Sequence, residues 1–147
     1  ITFTWNTTQS FKMTTIVCDR KAMSGDSQIT GMGTSSAHKI FKVPGGILGI
    51  CGEYSKGRAF VTWLTRGKTG KVPSVGEVQA LYLTKTGLFC FEGSLESYPV
   101  HNRFEAIGTG TQAALAAMHL GCTTSEAVRV AARIDSYTGG RIKTISI

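Results

Sequence analysis

The sequence predicts an α+β domain in which antiparallel β-sheets carry helices on their outer faces. Several short segments alternate apolar and polar residues, as strands with one buried side do, and they occur in pairs joined by short glycine-containing turns. Other segments place apolar or alanine residues at helical spacing. Because the order is strands, one helix, strands, two helices and a strand, grouped hairpins are favoured over a βαβ wheel.

The predicted strands are short segments that are β-branched or alternate in polarity. In chain order they lie at 15–19, 38–43, 47–51, 78–83, 88–91, 104–107 and 141–147. A turn at Pro44-Gly45-Gly46 joins the second and third strands, and one at Thr86-Gly87 joins the fourth and fifth. A short return over 21–24 follows the first strand and leads to Gly25-Asp26, and residues 67–76 are predicted to form a loop.

Three helices are predicted from apolar spacing and capping residues. The first lies within 53–64, with its apolar residues on one face. The second, at 111–120, is rich in alanine and ends at Gly121, a residue type that favours helix C-termini. The third opens with the capping box of residues 123–126 and is broken by Gly139-Gly140. Its inward face is predicted to contain Ala127, Val130, Ala131 and Ile134.

Composition limits the classes of function. The chain has 147 residues, of which 41% are hydrophobic, enough to bury one core. A net charge of +7 allows attraction to anionic partners, but the basic residues are scattered and form no basic helix or RNA-binding signature. We therefore expect no specific nucleic-acid partner, and a basic binding protein stays a minor alternative. No apolar run reaches transmembrane length, so no membrane partner is expected.

The four cysteines are far apart and lie among apolar or small residues. They are Cys18, Cys51, Cys90 and Cys122. None forms a C-x-x-C motif, and no histidine has metal-ligand spacing with them. The sequence therefore predicts reduced, mostly buried thiols, no metal, no cofactor and a cytoplasmic location.

Two other site types are disfavoured. Residues 108–113 (GTGTQA) match the dinucleotide fingerprint between a strand and a helix, but the rest of the chain cannot complete a doubly wound sheet. The acidic residue near the required spacing, Glu126, lies at a helix start. A tight turn that presents Thr109 explains the glycines equally well. No G-x-S-x-G motif and no Cys-His pair in a recognisable context indicates a serine or cysteine hydrolase.

Six segments, in this order, carry a family resemblance. They are 13–17 (MTTIV), 24–28 (SGDSQ), 38–40 (HKI), 49–52 (GICG), 107–110 (IGTG) and 135–140 (DSYTGG). Together they resemble the catalytic β-subunits of the proteasome and HslV, within the N-terminal-nucleophile hydrolases. The most specific pieces are the TTIV start, the G-D-x-Q turn and the D-x-Y-[ST]-G-G segment. The resemblance implies a four-layer αββα sandwich, in which two antiparallel sheets are flanked by helices.

The resemblance also implies catalytic roles by position. Thr14 would be the nucleophile and its own α-amine the general base, a group whose unperturbed pKa of about 7.7–8.0 suits the task. Lys39 would supply a cation that lowers the pKa of this amine further, and Asp26 would hold Lys39 by pairing with it. The Gly52 N–H would stabilise the oxyanion.

The remaining roles concern orientation and specificity. Thr109, Asp135 and Thr138 would surround the amine, and Ile50 would line the pocket for the residue before the scissile bond. The implied activity is that of a threonine endopeptidase acting on peptides or unfolded proteins. A catalytically inactive or latent proteasome-like subunit with a structural or regulatory role is the alternative.

The chain departs from the family pattern after residue 66. Family members carry two long helices before the next hairpin, and these help to pack rings and contact regulators, whereas one helix and a loop are predicted here. A homo-oligomer is expected by resemblance, while the ring size and an ATPase unfoldase partner stay open.

The second departure precedes Thr14. We expect residues 1–13 to be an N-terminal extension (a propeptide, an expression remnant or a misassigned start) and residues 14–147 to be a single domain. While the extension is attached, the Thr14 nitrogen is an amide and no base. Self-cleaving precursors of this family typically have Gly before the Thr, but Met13 stands here, a residue that methionine aminopeptidase removes if it is the true start.

Overall fold

A computed structural model of the chain describes residues 14–30 and 34–147, to which the structural statements below refer. The strands described there are β1 (Thr15–Cys18), β2 (Ala22–Gly25), β3 (Gln28–Thr30), β4 (Thr34–Ser36), β5 (Ile40–Val43), β6 (Gly46–Cys51), β7 (Gln79–Thr84), β8 (Gly87–Glu92), β9 (Tyr98–Val100), β10 (Glu105–Gly108) and β11 (Lys143–Ser146). The helices are α1 (Tyr54–Thr65), α2 (Thr111–His119) and α3 (Thr124–Ile134). Their order along the chain is the predicted one.

Two antiparallel sheets lie face to face. One has the strand order β10-β1-β2-β11 and the other β5-β6-β7-β8-β9, while β3 and β4 form a separate ribbon. The core between the sheets joins Ile16 and Met23 of the first to Ile47 and Leu81 of the second. Helices α2 and α3 cover the outer face of the first sheet, and α1 covers that of the second. The αββα sandwich is therefore confirmed.

The two C-terminal helices have the predicted caps. Before α3, Thr123 Oγ1 accepts a hydrogen bond from Glu126 N and the Glu126 carboxylate accepts one from Thr123 N, both at 3.2 Å. These are the reciprocal bonds of a capping box. After α2, Gly121 has φ +94°, and its N–H donates to Met118 O at 3.0 Å, an arrangement that favours glycine.

The inward face of α3 differs from the predicted one at its C-terminal end. Ile134, predicted to point inward, is 72% exposed, whereas Val128 is fully buried together with Ala127 and Ala131. The buried stripe is thus rotated toward Val128, and Val130 is only half-buried on its flank. Ile134 is the last helical residue and lies at the edge of this stripe, so the prediction for it is wrong.

Some strands have no recognisable sequence pattern and are strands only because they pair with adjacent strands of a sheet. β2 reads AMSG, too short for alternation to show, yet it is hydrogen-bonded to both β1 and β11. β9 contains Pro99 and lies at the edge of its sheet, where a missing N–H is tolerated. Between α1 and β7 the chain forms neither helix nor strand, which confirms the shortened helical region after residue 66.

Candidate active site

Thr14 lies directly before β1 and is 2% exposed. Its surroundings are set by β10, because Thr15 is the register partner of Gly108. A Cβ atom on Gly108 would lie 2.0 Å from Thr14 O, and the φ of Gly108 is +102°, so only glycine fits here. The strand pairing therefore needs a glycine against Thr14.

A buried ion pair lies beside Thr14. Asp26 follows β2 and Lys39 precedes β5, and Lys39 Nζ is 2.9 Å from Asp26 Oδ1, with 5% and 0% of the two side chains exposed. The same oxygen accepts hydrogen bonds from Thr14 Oγ1 and, at 3.1 Å, from Thr15 N. Lys39 also donates to Gln28 O. The Thr14 hydroxyl and the Lys39 ammonium therefore share one carboxylate oxygen.

Burial sets the protonation behaviour of Lys39. Desolvation lowers the pKa of its ammonium below the ordinary value, and attraction and hydrogen bonding to Asp26, which act in the opposite direction, do not cancel that effect. Lys39 is thus a cation held in place at an energetic cost, a feature that clusters at functional sites.

A second group of polar residues approaches Thr14 from the C-terminal half. Thr109, in the turn between β10 and α2, donates to Asp135 Oδ2, and its Oγ1 lies 3.4 Å from Thr14 O. Thr138 Oγ1 donates to the same Asp135 oxygen at 2.7 Å, and Tyr137 N donates to Oδ1 at 3.1 Å. Partial burial alone would raise the pKa of Asp135, but these three donors outweigh it and lower the pKa.

Six of the predicted residues, Thr14 among them, are therefore brought together in one polar network. They are Thr14, Asp26, Lys39, Thr109, Asp135 and Thr138. They come from separate parts of both halves of the chain, and the antiparallel pairing of β10, β1 and β2 places the two halves side by side.

Ile50 and Gly52 lie at the end of β6 and make no side-chain contact that is described with the six residues of this network. Ile50 N donates to Lys39 O at 2.9 Å, which ties the end of β6 to the ion pair. The Ile50 side chain is 2% exposed and packs between the five-stranded sheet and α1, where a Cβ on Gly57 would lie 2.7 Å from it. Gly52 follows β6 with φ +107°. The oxyanion and pocket roles of these two residues stay predictions.

Three contributors are missed by sequence reasoning. Thr15 is fully buried, and its hydroxyl is 2.7 Å from that of Thr138. Gly139 N donates to Asp26 Oδ2 at 3.0 Å, and Gln28 supplies the carbonyl for Lys39. All three lie in the family-like segments 13–17, 24–28 and 135–140, but their sequence context indicates no contact with the site.

The G-x-G sequence of residues 108–110 has a structural explanation. A Cβ on Gly110 would lie 2.1 Å from Thr15 Oγ1, just as one on Gly108 would meet Thr14. Close approach of this turn to β1 accounts for both glycines without a nucleotide.

The described residues carry few other candidate features. Burial raises the pKa values of the Cys18 and Cys90 thiols, which disfavours reactive thiolates there. Within 14–30 and 34–147, no three His, Cys, Asp or Glu side chains are grouped to hold a metal ion. No described helix is long and apolar enough to cross a membrane.

The fold is that of the proteasome-like N-terminal-nucleophile hydrolases. The chain is similar to eukaryotic HslV from Trypanosoma brucei, with a TM-score of 0.70 and 19% identity over 90% of this chain and 98% of that one. For BPH of Thiobacillus denitrificans, solved in complex with epoxomicin, the TM-score is 0.67 and the sequence identity 20%, and the match covers 91% of this chain and 97% of BPH. For Anbu, the ancestral β-subunit from Yersinia bercovieri, the TM-score is 0.66 and the sequence identity 15%, and the match covers 90% of this chain and 80% of Anbu.

These likenesses establish the fold and not the activity, because the sequence identities are low. No protein-family profile matches the sequence, and no curated protein matches it significantly.

Proposed function

We propose that the chain is a threonine-type peptidase in which Thr14, once residues 1–13 are removed, is an N-terminal nucleophile that hydrolyses peptide bonds. The observation that carries the proposal is the shared acceptor: Thr14 Oγ1 and Lys39 Nζ both donate to Asp26 Oδ1. A buried ion pair contributes little net stability and is costly to desolvate, so its position beside a buried threonine hydroxyl favours a catalytic role.

In the proposed reaction, the free α-amine of Thr14 takes the proton of the Thr14 hydroxyl while Oγ1 attacks the scissile carbonyl carbon. The Gly52 N–H stabilises the oxyanion of the tetrahedral intermediate. The amine then gives its proton to the departing amine of the substrate, and water hydrolyses the resulting ester. The Lys39 cation favours the neutral, basic form of the amine.

Thr109, Asp135 and Thr138 are proposed to orient the amine. The hydrogen bonds that hold the Asp135 carboxylate leave a fixed negative charge near Thr14 O. A carboxylate at this place counteracts Lys39 and prevents the amine from losing too much basicity. Ile50 is proposed to shape the pocket for an apolar residue before the scissile bond.

The proposal extends to the organisation of the protein. Residues 1–13 lie outside the described residues, and we propose that they are a removable extension to a single domain of residues 14–147. We further propose a homo-oligomer that restricts access to the nucleophile, with peptides or unfolded proteins as substrates and an ATPase unfoldase as a candidate partner. The buried, protonated thiols fit a reducing compartment such as the cytoplasm.

A latent or inactive subunit is the second candidate. It is favoured by the residue before Thr14, which is Met13 and not glycine. In such a subunit the Thr14 nitrogen stays an amide, and the polar network has only a structural or regulatory role.

Hydrolysis of fluorogenic peptides by a chain that begins at Thr14 tests the proposal. We expect activity in this form, none while residues 1–13 are attached, and a loss of at least about a thousandfold in T14A, because the nucleophile is removed. T14S is the matched control, since it keeps a hydroxyl nucleophile. A correctly folded chain that begins at Thr14 and is no more active than T14A would support the inactive subunit instead.

A further inference from the structure

Thr15 connects the two hydrogen-bonded groups of the candidate site, one built on Asp26 and Lys39 and the other on Asp135 and Thr138. Its backbone N–H donates to Asp26 Oδ1 at 3.1 Å, and its side chain reaches Thr138, 123 positions later, at 2.7 Å. Thr15 is therefore bonded to both groups and covalently to Thr14.

The direction of the hydroxyl bond follows from proton counting. Thr138 has one hydroxyl proton, and it is donated to Asp135 Oδ2 at 2.7 Å. The hydroxyl of Thr15 must therefore be the donor in the bond between the two threonines. The result is a relay of hydrogen bonds from Thr15 through Thr138 to the Asp135 carboxylate, in which each bond polarises the next.

Packing alone does not explain a threonine at this position. Thr15 is fully buried in a strand whose following residues are Ile16 and Val17, so valine would fill the same volume without burying a hydroxyl. The space for the hydroxyl exists only because residue 110 has no side chain, since a Cβ there would lie 2.1 Å from Thr15 Oγ1 and 3.2 Å from Thr138 Oγ1. Gly110 itself has φ −89°, which any residue can adopt, so glycine is needed for this space and not for the backbone.

We propose that Thr15 is a positioning residue, whose hydroxyl holds Thr138 in the orientation that donates to Asp135 and thereby fixes this carboxylate beside Thr14. The catalytic meaning of this arrangement rests on the proposed function, whereas the relay itself does not. Thr15 does not contact the substrate and acts through Thr138.

The test compares T15V, which keeps the shape and removes the hydroxyl, with T15S, which keeps the hydroxyl. The first readout is the pKa of the Asp135 carboxyl, followed by carbon-13 NMR in the chain that begins at Thr14. We expect T15V to raise this pKa toward the ordinary aspartate value, because the relay loses its first donor, and T15S to leave it unchanged. If T15V does not fold, T15A serves as the hydroxyl-free variant.

The second readout is the pH profile of peptide hydrolysis. We expect T15V to lower kcat by about three- to tenfold, the worth of one hydrogen bond, and to move the acid limb downward in pH, because the negative charge that raises the pKa of the Thr14 amine is held less firmly. T15S should follow the parent chain in both respects. A folded hydroxyl-free variant with an unchanged Asp135 pKa, or a T15S variant that behaves like T15V, overturns the proposal. Because the NMR readout needs no turnover, it decides on Thr15 even if the peptidase proposal fails.

Discussion

Asp26 accepts hydrogen bonds from four groups that the chain brings together from distant positions. Thr14 Oγ1, Thr15 N and Lys39 Nζ donate to Oδ1, and Gly139 N donates to Oδ2. A carboxylate with no exposed surface needs this many donors, since each unsatisfied lone pair would cost desolvation energy. Asp26 therefore positions both the Thr14 hydroxyl and the Lys39 ammonium.

We expect K39M to lose both stability and activity. Removing the ammonium leaves a buried carboxylate without its counter-charge, at a cost of about 3–5 kcal/mol in the free energy of unfolding. Activity of the chain that begins at Thr14 should fall by about a hundredfold or more, because the amine loses its neighbouring cation. Urea denaturation and peptide hydrolysis measure the two effects.

The double variant D26N/K39M separates these effects. It removes both charges, so most of the lost stability should return, while activity stays low. Full activity in the double variant, or parental activity in K39M, would contradict the role of Lys39.

Asp135 should add a pH-dependent contribution to stability. Its pKa is lowered in the folded chain by Thr109, Thr138 and Tyr137 N, although partial burial acts against them. The contribution is therefore fully present above the unfolded-state pKa of about 3.9 and is lost as pH falls through the lower folded-state value. We expect the stability difference between the parent chain and D135N to be constant near neutral pH and to shrink below about pH 4. Thermal unfolding of both proteins across this range measures it, and a difference independent of pH would refute the prediction.

The residues that a sequence motif can mark are those with unusual chemistry, such as Thr14, Asp26 and Lys39. The contacts of the site are harder to predict, because Thr15 in β1 meets Thr138, which follows α3, across 123 positions of the chain. A buried threonine in a strand looks like any β-branched residue. Gly139 contributes only its N–H, a group that every residue except proline carries.

Among the elements, the turn from β10 to α2 is the most constrained. Gly108 combines a positive φ with direct contact to the backbone of Thr14, whereas Gly121, after α2, has a similar φ of +94° and nothing within 4 Å of its Cβ position. Substitution of Gly121 therefore measures the cost of backbone strain alone, whereas substitution of Gly108 adds the cost of steric overlap.

We expect G108A to destabilise the chain by about 3 kcal/mol or more, because strain and overlap with Thr14 O add. G121A should cost only about 1–2 kcal/mol, the price of a left-handed conformation alone. Urea denaturation gives both values. Equal effects of the two substitutions would show that Gly108 is not required for the approach to Thr14.

Element types were predictable where the pattern was long or the cap explicit, as in α2, α3 and the two main hairpins. β2 and β9 were not, because each is a strand only by virtue of its neighbours. The inward side of α3 differs from the predicted one at Ile134, where helical spacing continues the apolar pattern but the side chain is 72% exposed. Tertiary contacts decide which residues are buried at the end of a helix, and the periodicity of the sequence does not contain this information.

At the scale of the whole molecule, the sandwich places Thr14 where its neighbours from both halves meet, between β10 and β2. Between α1 and β7 the described chain forms neither helix nor strand, where the family resemblance implied a second long helix. The proposed reaction requires a free Thr14 amine in addition to this polar network.

The most direct test is the intact mass of the natively expressed protein before and after treatment with a threonine-directed epoxyketone. A chain that begins at Thr14 and gains one adduct on that residue, with none in T14A, is the expected result. A natively expressed chain that retains Met13, or one that begins at Thr14 and takes no adduct, would contradict the assignment of Thr14 as an active nucleophile.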